Sequence, residues 1–192
     1  LLSTFLKIVF RLGLDSGFIR IFYDLEEAER PRFAGTVALF SAAFASMAFA
    51  LVWIFSAQVS VALFENPDGI LWVRLVAADL LASSFVFVPF ALLRIEGQAS
   101  VFSTFSLSRP AANTVLKVVL VVSGFGVTGA LISDVAGSAL LAALLFVELK
   151  KRATVAFDWA PLREALRFGL PKVPHGVLVQ TLNLADRRIL ES

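Results

Sequence analysis

Hydrophobic positions in this chain fall in long unbroken blocks. Residues Phe33 to Phe64 include no Asp, Glu, Lys or Arg, and Leu75 to Leu93 include only Asp79. A run of about 20 apolar residues crosses the roughly 30 Å hydrocarbon layer of a membrane as a single helix. A helix suits that medium because it satisfies its backbone polar groups within the segment. The blocks predict six apolar helices, over residues 1–23, 34–63, 70–93, 100–123, 127–148 and from 173 onward. The second is long enough to tilt or to carry an interfacial end.

The breaks between blocks carry their own signals. Glu65-Asn66-Pro67-Asp68-Gly69 predicts a turn, because Asn-Pro and Asp-Gly favour chain reversal. The apolar stretch from Ser100 to Val147 is too long for one helix, and Gly124, Gly126 and Gly129 divide it. Pro110 predicts a kink near Arg109. The stretch 150–172 is basic and partly polar. Within it, Asp158 to Gly169 reads as a short amphipathic helix, capped by Asp158 and stopped by Gly169 and Pro171. Trp159, Leu162 and Leu166 share one face, which suits either a helix lying on the membrane surface or a linker helix packed on protein. The expected fold is therefore all-α, a polytopic transmembrane helix bundle. Residues 1–149 form five spans, 150–172 a linker and 173–192 the start of a further span.

Composition agrees with this pattern. The 192 residues are 58% hydrophobic and 17% charged, with a mean hydropathy of +0.85. Soluble chains carry roughly 25% charged residues, so this one lacks the material for a water-facing shell. The absence of cysteine excludes a disulfide framework, a thiolate zinc site and a thiol nucleophile. A net charge of +2 does not argue for nucleic acid, since the basic residues lie between apolar spans. Arg20, Arg30, Arg32, Arg94, Lys150, Lys151, Arg152, Arg163, Arg167 and Lys172 all fall on one side, and the opposite side has only Arg74 nearby. The positive excess marks the first side as cytoplasmic. The first helix then runs outside to inside, which calls for an earlier one. With no initiating Met, no signal peptide and a last residue inside an apolar pattern, the chain reads as part of a longer protein.

Charge within the spans carries the functional expectation. An ionisable side chain there costs at least roughly 2.5–3.5 kcal/mol on insertion scales, so it faces an interior or an aqueous cavity. Lys7, Arg11 and Asp15 are spaced by four and would share one face of a continuous helix. Arg11 and Asp15 either neutralise each other or join Lys7 in a cavity, with Gly13, Ser16 and Gly17 nearby for close packing or ligand approach. Asp79, Lys117 and Asp134 fall within roughly 5 Å of depth at 1.5 Å per residue. Asp79 and Lys117, on consecutive antiparallel helices, are expected to pair or to share a cavity. Arg109 is a further cavity candidate. Arg74 and Arg94 are expected to reach the interface, and His175 to be an interfacial residue rather than a proton relay. No phosphate-binding Gly-x-x-x-x-Gly-Lys motif occurs, so ATP hydrolysis is not expected. One histidine and no cysteine leave little for a metal site, and no cofactor is expected.

Several short stretches resemble a known family. Gly13-Leu14-Asp15-Ser16-Gly17-Phe18-Ile19-Arg20-Ile21-Phe22-Tyr23 is similar to the end of the second helix of bacterial polysaccharide flippases. These form the polysaccharide branch of the multidrug/oligosaccharidyl-lipid/polysaccharide exporter superfamily. Phe168-Gly169-Leu170-Pro171-Lys172-Val173-Pro174 and Leu182-Asn183-Leu184-Ala185-Asp186-Arg187-Arg188-Ile189-Leu190 resemble the opening of their seventh helix. Leu93-Arg94-Ile95-Glu96-Gly97 and the Gly124–Gly129 break occupy matching places. The resemblance spans essentially the whole chain. It implies helices two to seven of 12 to 14, most of the N-terminal lobe of a two-lobed exporter fold.

The implied activity is translocation, not catalysis. Undecaprenyl-pyrophosphate-linked sugar units would pass from the inner to the outer leaflet of the bacterial inner membrane for O-antigen, capsule or exopolysaccharide assembly. Alternating access would be driven by an ion gradient. Implied partners are the lipid-linked oligosaccharide, membrane lipids, and a glycan polymerase with other assembly proteins; nucleic acid is not among them. A pyrophosphate headgroup needs a basic, hydrated cavity, and Arg11, Arg20, Lys117 and Arg187 match by type. Motif positions carry over only to Arg20, Asp186 and Arg187; Arg188 departs from the aromatic or aliphatic residue often found there. Competing readings are a cation-coupled drug exporter, a membrane-embedded glycan polymerase or other enzyme, and a non-transporting scaffold. An excess of basic intramembrane candidates favours an anionic lipid over a cationic drug, and the very short external loops disfavour the enzyme.

Overall fold

A computed structural model describes residues 13–64, 69–175 and 178–179. The described residues are helical, without strands. In chain order the helices are α1 (Leu14–Asp24), α2 (Arg30–Ile54), α3 (Ser56–Phe64), α4 (Ile70–Ser84), α5 (Phe87–Ile95), α6 (Ala99–Leu120), α7 (Gly126–Arg152) and α8 (Trp159–Gly169). Three continuous or nearly continuous stretches are long and apolar enough to cross a membrane: Arg30–Ile54, Ile70–Ile95 and the hairpin Ala99–Arg152. Little of the first and third is buried within the protein, 11% and 6% of their most apolar windows. Side chains such as Leu51, Ile54, Leu107, Val122 and Leu140 point outward, as they would toward lipid.

The hairpin turns where the glycines fall. The chain reverses through Val121–Phe125, with Gly124 at φ 92° and Gly126 at φ 52°. Both angles are left-handed, which only glycine adopts without strain. α6 and α7 therefore fold back on each other. α6 passes through Pro110 as a single helix.

Other predicted spans are interrupted. The stretch expected as one helix over 34–63 starts earlier, at Arg30, because Pro31 suits a helix start. It breaks at Phe55, beside Trp53 and Ser56, where Arg74 docks: the guanidinium lies 4.6 Å over the Trp53 ring and Nε donates to Ser56 Oγ at 3.1 Å. Arg74 is thus held against α2 and α3 near the start of α4. The 70–93 span is divided at Phe85–Val86. Pro89 offers no N–H to the Phe85 carbonyl, and Ser84 Oγ donates to the Leu80 carbonyl at 2.8 Å.

α7 is central. It lies between α4 and α6, and α4 in turn packs on α2. Ser133 and Ser138 of α7 and Ala77 of α4 are fully or almost fully buried, small residues that bring the helix axes close. At the other end, α1, the start of α2, α5 and α8 share an aromatic core. The Phe18 ring stacks on Phe33 at 5.3 Å and meets Phe87 edge-on at 6.0 Å.

The short helix α8 packs on protein, through Leu162, Ala165 and Gly169 against α1. The contact depends on glycine. A Cβ at Gly17 would stand 2.2 Å from the Ala165 carbonyl oxygen, and one at Gly13 would stand 2.1 Å from that of Gly169. Two residues four apart on α1 therefore face two residues four apart on α8. The loop before α8 is anchored to α2. Thr36 Oγ1 contacts the carbonyls of Arg32 and Ala156 at 2.9 and 3.0 Å, and accepts from the Asp158 N–H at 3.0 Å. Thr154 N–H donates to the Pro31 carbonyl at 2.9 Å.

A second latch joins the α5–α6 loop to the end of α7. Arg152 Nε donates to Glu96 at 2.7 Å, its Nη2 to Gln98 at 2.8 Å, and its Nη1 to Glu148. These anchors gather the lysines and arginines of the loops at one end of the bundle, hereafter the basic end.

Candidate functional site

Charged residues inside the spans converge on the contact of α4, α6 and α7. Arg109, Asn113 and Lys117 are spaced by four on α6, so they form one stripe along the helix. Asp134 and Ser138, also four apart, form the facing stripe on α7. The pairs Arg109–Ser138 and Asn113–Asp134 are both centred on the Ser123–Gly124 turn, as an antiparallel hairpin requires.

Lys117 Nζ donates to both oxygens of Asp134, at 2.9 and 3.1 Å. Asn113 Nδ2 donates to Asp134 Oδ1 at 2.7 Å. The lysine thus pairs with Asp134; of the two arrangements expected for Lys117 and Asp79, direct pairing is not the one observed. The hairpin turn brings two residues of like depth directly opposite each other, whereas Asp79 lies on α4, across α7. The pair is not enclosed: the Lys117 and Asp134 side chains are 40% and 34% uncovered by protein.

Asp79 meets a different partner one turn along α7. Ser138 Oγ donates to Asp79 Oδ1 at 2.5 Å and accepts from Arg109 Nη2 at 2.5 Å. Ser83 Oγ lies 3.3 Å from the same hydroxyl. Since Ser138 has one hydrogen and directs it at Asp79, Ser83 is the donor in that contact. A fully buried hydroxyl therefore links an arginine of α6 to a carboxylate of α4. Arg109 also lines a cleft of about 280 Å³ between α6 and α7, with Thr104, Ser108 and Gly137.

Four expected site residues are thus brought together: Asp79, Arg109, Lys117 and Asp134. Arg20 stands apart at the basic end, its guanidinium 4.4 Å over the Phe168 ring of α8. Asp15 opens α1, where a carboxylate complements the positive end of the helix dipole. The described helix begins after Gly13, which stands at φ 68°. Lys7, Arg11, Asp186 and Arg187 lie outside the described residues. Asn113, Ser83 and Ser138 were not expected; the spacing of Asn113 between Arg109 and Lys117 was the available signal. Among the described residues, no three His, Asp or Glu side chains group as metal ligands do.

A family model described as polysaccharide biosynthesis protein matches residues 1–189. The chain belongs to the polysaccharide biosynthesis protein family. No curated protein and no solved structure matches it. The family places this membrane protein in polysaccharide biosynthesis. Among the described residues, the contact of α4, α6 and α7 is where charged side chains of the apolar spans gather.

Proposed function

We propose that this protein translocates lipid-linked oligosaccharides across the bacterial inner membrane, as part of a two-lobed, ion-gradient-driven flippase. The observation that carries the reading is the Lys117–Asp134 pair, uncovered by over a third on each side chain, on the turn side of the α6–α7 hairpin, with Lys117 in the last turn of α6. Charges at that depth are tolerated where they face a water-filled cavity or another part of the protein. With Arg109, Lys117 places two cations along one face of α6, opposite Asp134 of α7 and, through Ser138, Asp79 of α4; the two cations suit an anionic headgroup.

In this reading the basic end is cytoplasmic, following the rule that positive residues stay inside. The chain crosses the membrane several times. A prenyl-diphosphate-linked glycan keeps its prenyl tail in lipid while its diphosphate and sugars pass the uncovered face of α6 and α7. Asp79 and Asp134 supply carboxylates beside this path, and in this reading they take part in coupling to the ion gradient. Lys117 and Arg109 bind the diphosphate, and no covalent step or cofactor is needed.

A deletion strain tests the reading. It should accumulate lipid-linked repeat units on the inner leaflet and lose surface glycan. Normal surface glycan together with altered drug tolerance would contradict it and favour a drug exporter.

A further inference from the structure

A second basic site lies away from the intramembrane charges, in a groove of about 560 Å³ between α1 and α8. Arg20 comes from α1, and Arg163 and Arg167, one helical turn apart, from α8; Glu164 is the one carboxylate in the lining. The three arginines are exposed, and none has an ion-pair partner among the described residues. Lys172 adds a fourth cation, its Nζ 4.3 Å over the same Phe168 ring that Arg20 covers. Gathered cations of this kind raise the local positive potential and attract an anion. Guanidinium groups present forked N–H donors that match the oxygens of a phosphate.

The groove's surroundings indicate where that phosphate comes from. Phe157 and Trp159, just before and at the start of α8, stack at 6.4 Å and are 60% and 54% exposed. Val155 beside them is 88% exposed. Exposed Trp and Phe next to arginine are the composition of a surface at the membrane–water boundary, with rings at the headgroup level and cations among phosphates. The buried face of α8 is meanwhile fixed on α1 through Leu162 and Ala165. This leaves its basic face and the aromatic pair free to meet lipid.

We propose that the α1–α8 groove binds the phosphate of a lipid headgroup at the membrane surface. The shared chemistry is a phosphate carried on a lipid, either an acidic phospholipid or a prenyl diphosphate. The inference does not depend on what the protein carries across the membrane.

The test uses purified full-length protein in neutral detergent and measures binding of four probes: short-chain phosphatidylglycerol, short-chain phosphatidylcholine, farnesyl diphosphate and inorganic diphosphate. At least one of the phosphatidylglycerol and farnesyl diphosphate probes should bind about tenfold more tightly than phosphatidylcholine, and Arg163→Glu/Arg167→Glu should weaken that binding at least about tenfold. Arg163→Lys/Arg167→Lys keeps the charge but loses the forked donors. It should weaken binding a few-fold, and it serves as the test if the charge reversal does not fold. Reversing two other charges of the basic end, Arg94→Glu/Lys150→Glu, should leave affinity within about twofold. Preference for phosphatidylglycerol would identify a bulk-lipid anchor, and preference for farnesyl diphosphate a collecting point for prenyl carriers; both support the groove. Unchanged affinity in the arginine variants, an equal loss in the Arg94/Lys150 control, or inorganic diphosphate binding as tightly as either lipid would overturn the proposal.

Discussion

Lys117 Nζ stands 2.9 Å from Asp134 Oδ1, and the same carboxylate oxygen accepts from Asn113 at 2.7 Å. One carboxylate thus ties two successive turns of α6 to α7 within an apolar hairpin, where an unpaired charge is costly. Both side chains stay partly uncovered. This combination of internal pairing and open access separates a charge that only fastens two helices from one that also meets a passing ligand.

The pair predicts a split between folding and transport. Lys117→Ala leaves Asp134 without its counter-charge and should destabilise the protein by roughly 1–3 kcal/mol, as would Asp134→Ala. The exchange Lys117→Asp/Asp134→Lys should recover most of the melting temperature in detergent, because the ion pair is rebuilt. It should not recover glycan export if the lysine's position toward the uncovered face matters. Recovery of both would reduce the pair to a helix fastener.

Gly17 predicts a packing failure. Its missing Cβ lets α1 approach the Ala165 carbonyl, so Gly17→Ala forces the helices apart at a cost of roughly 1–3 kcal/mol. Backbone hydrogen exchange over residues 159–169 should speed up, since α8 is held mainly by this face. Exchange equal to the parent's would show that α8 is fastened elsewhere.

Much of this architecture is legible in the amino-acid pattern, and the exceptions have physical causes. Among the described residues, the spans over Arg30–Ile54, Ile70–Ile95 and Ala99–Arg152 follow from apolar block length, and the hairpin turn from three glycines in six residues; the spans expected over 1–23 and from 173 onward lie largely outside the described residues. The breaks at Phe55 and Phe85 are hidden. No glycine marks either, and the proline that weakens the second lies at position 89, inside the following helix. Depth could be counted along the chain, which placed Asp79, Lys117 and Asp134 together. The direction in which each side chain points depends on helix packing, so of the two arrangements expected for Asp79 and Lys117, direct pairing is not the one observed. Ser138 carried no signal, because a neutral hydroxyl becomes a link only when an arginine and a carboxylate are brought to either side of it.

Thr36 predicts a local effect at the basic end. Thr36→Val conserves shape but removes the hydroxyl that contacts the Ala156 carbonyl and accepts from the Asp158 N–H. Loss of those bonds should cost roughly 1–3 kcal/mol. It should also make the 153–158 segment more susceptible to limited proteolysis, while the α6–α7 hairpin is unaffected. A cleavage pattern like the parent's would contradict this anchoring role.

The most direct test of the transport reading is made on the full-length protein in proteoliposomes with a fluorescent prenyl-diphosphate-linked oligosaccharide and an imposed proton or sodium gradient. The predicted result is gradient-dependent movement of the labelled lipid between leaflets, lowered at least about tenfold by Arg109→Ala or Lys117→Ala in folded protein. Movement no faster than in protein-free vesicles, or equal movement in those variants, would contradict the assignment of the α6–α7 face as the path of the headgroup.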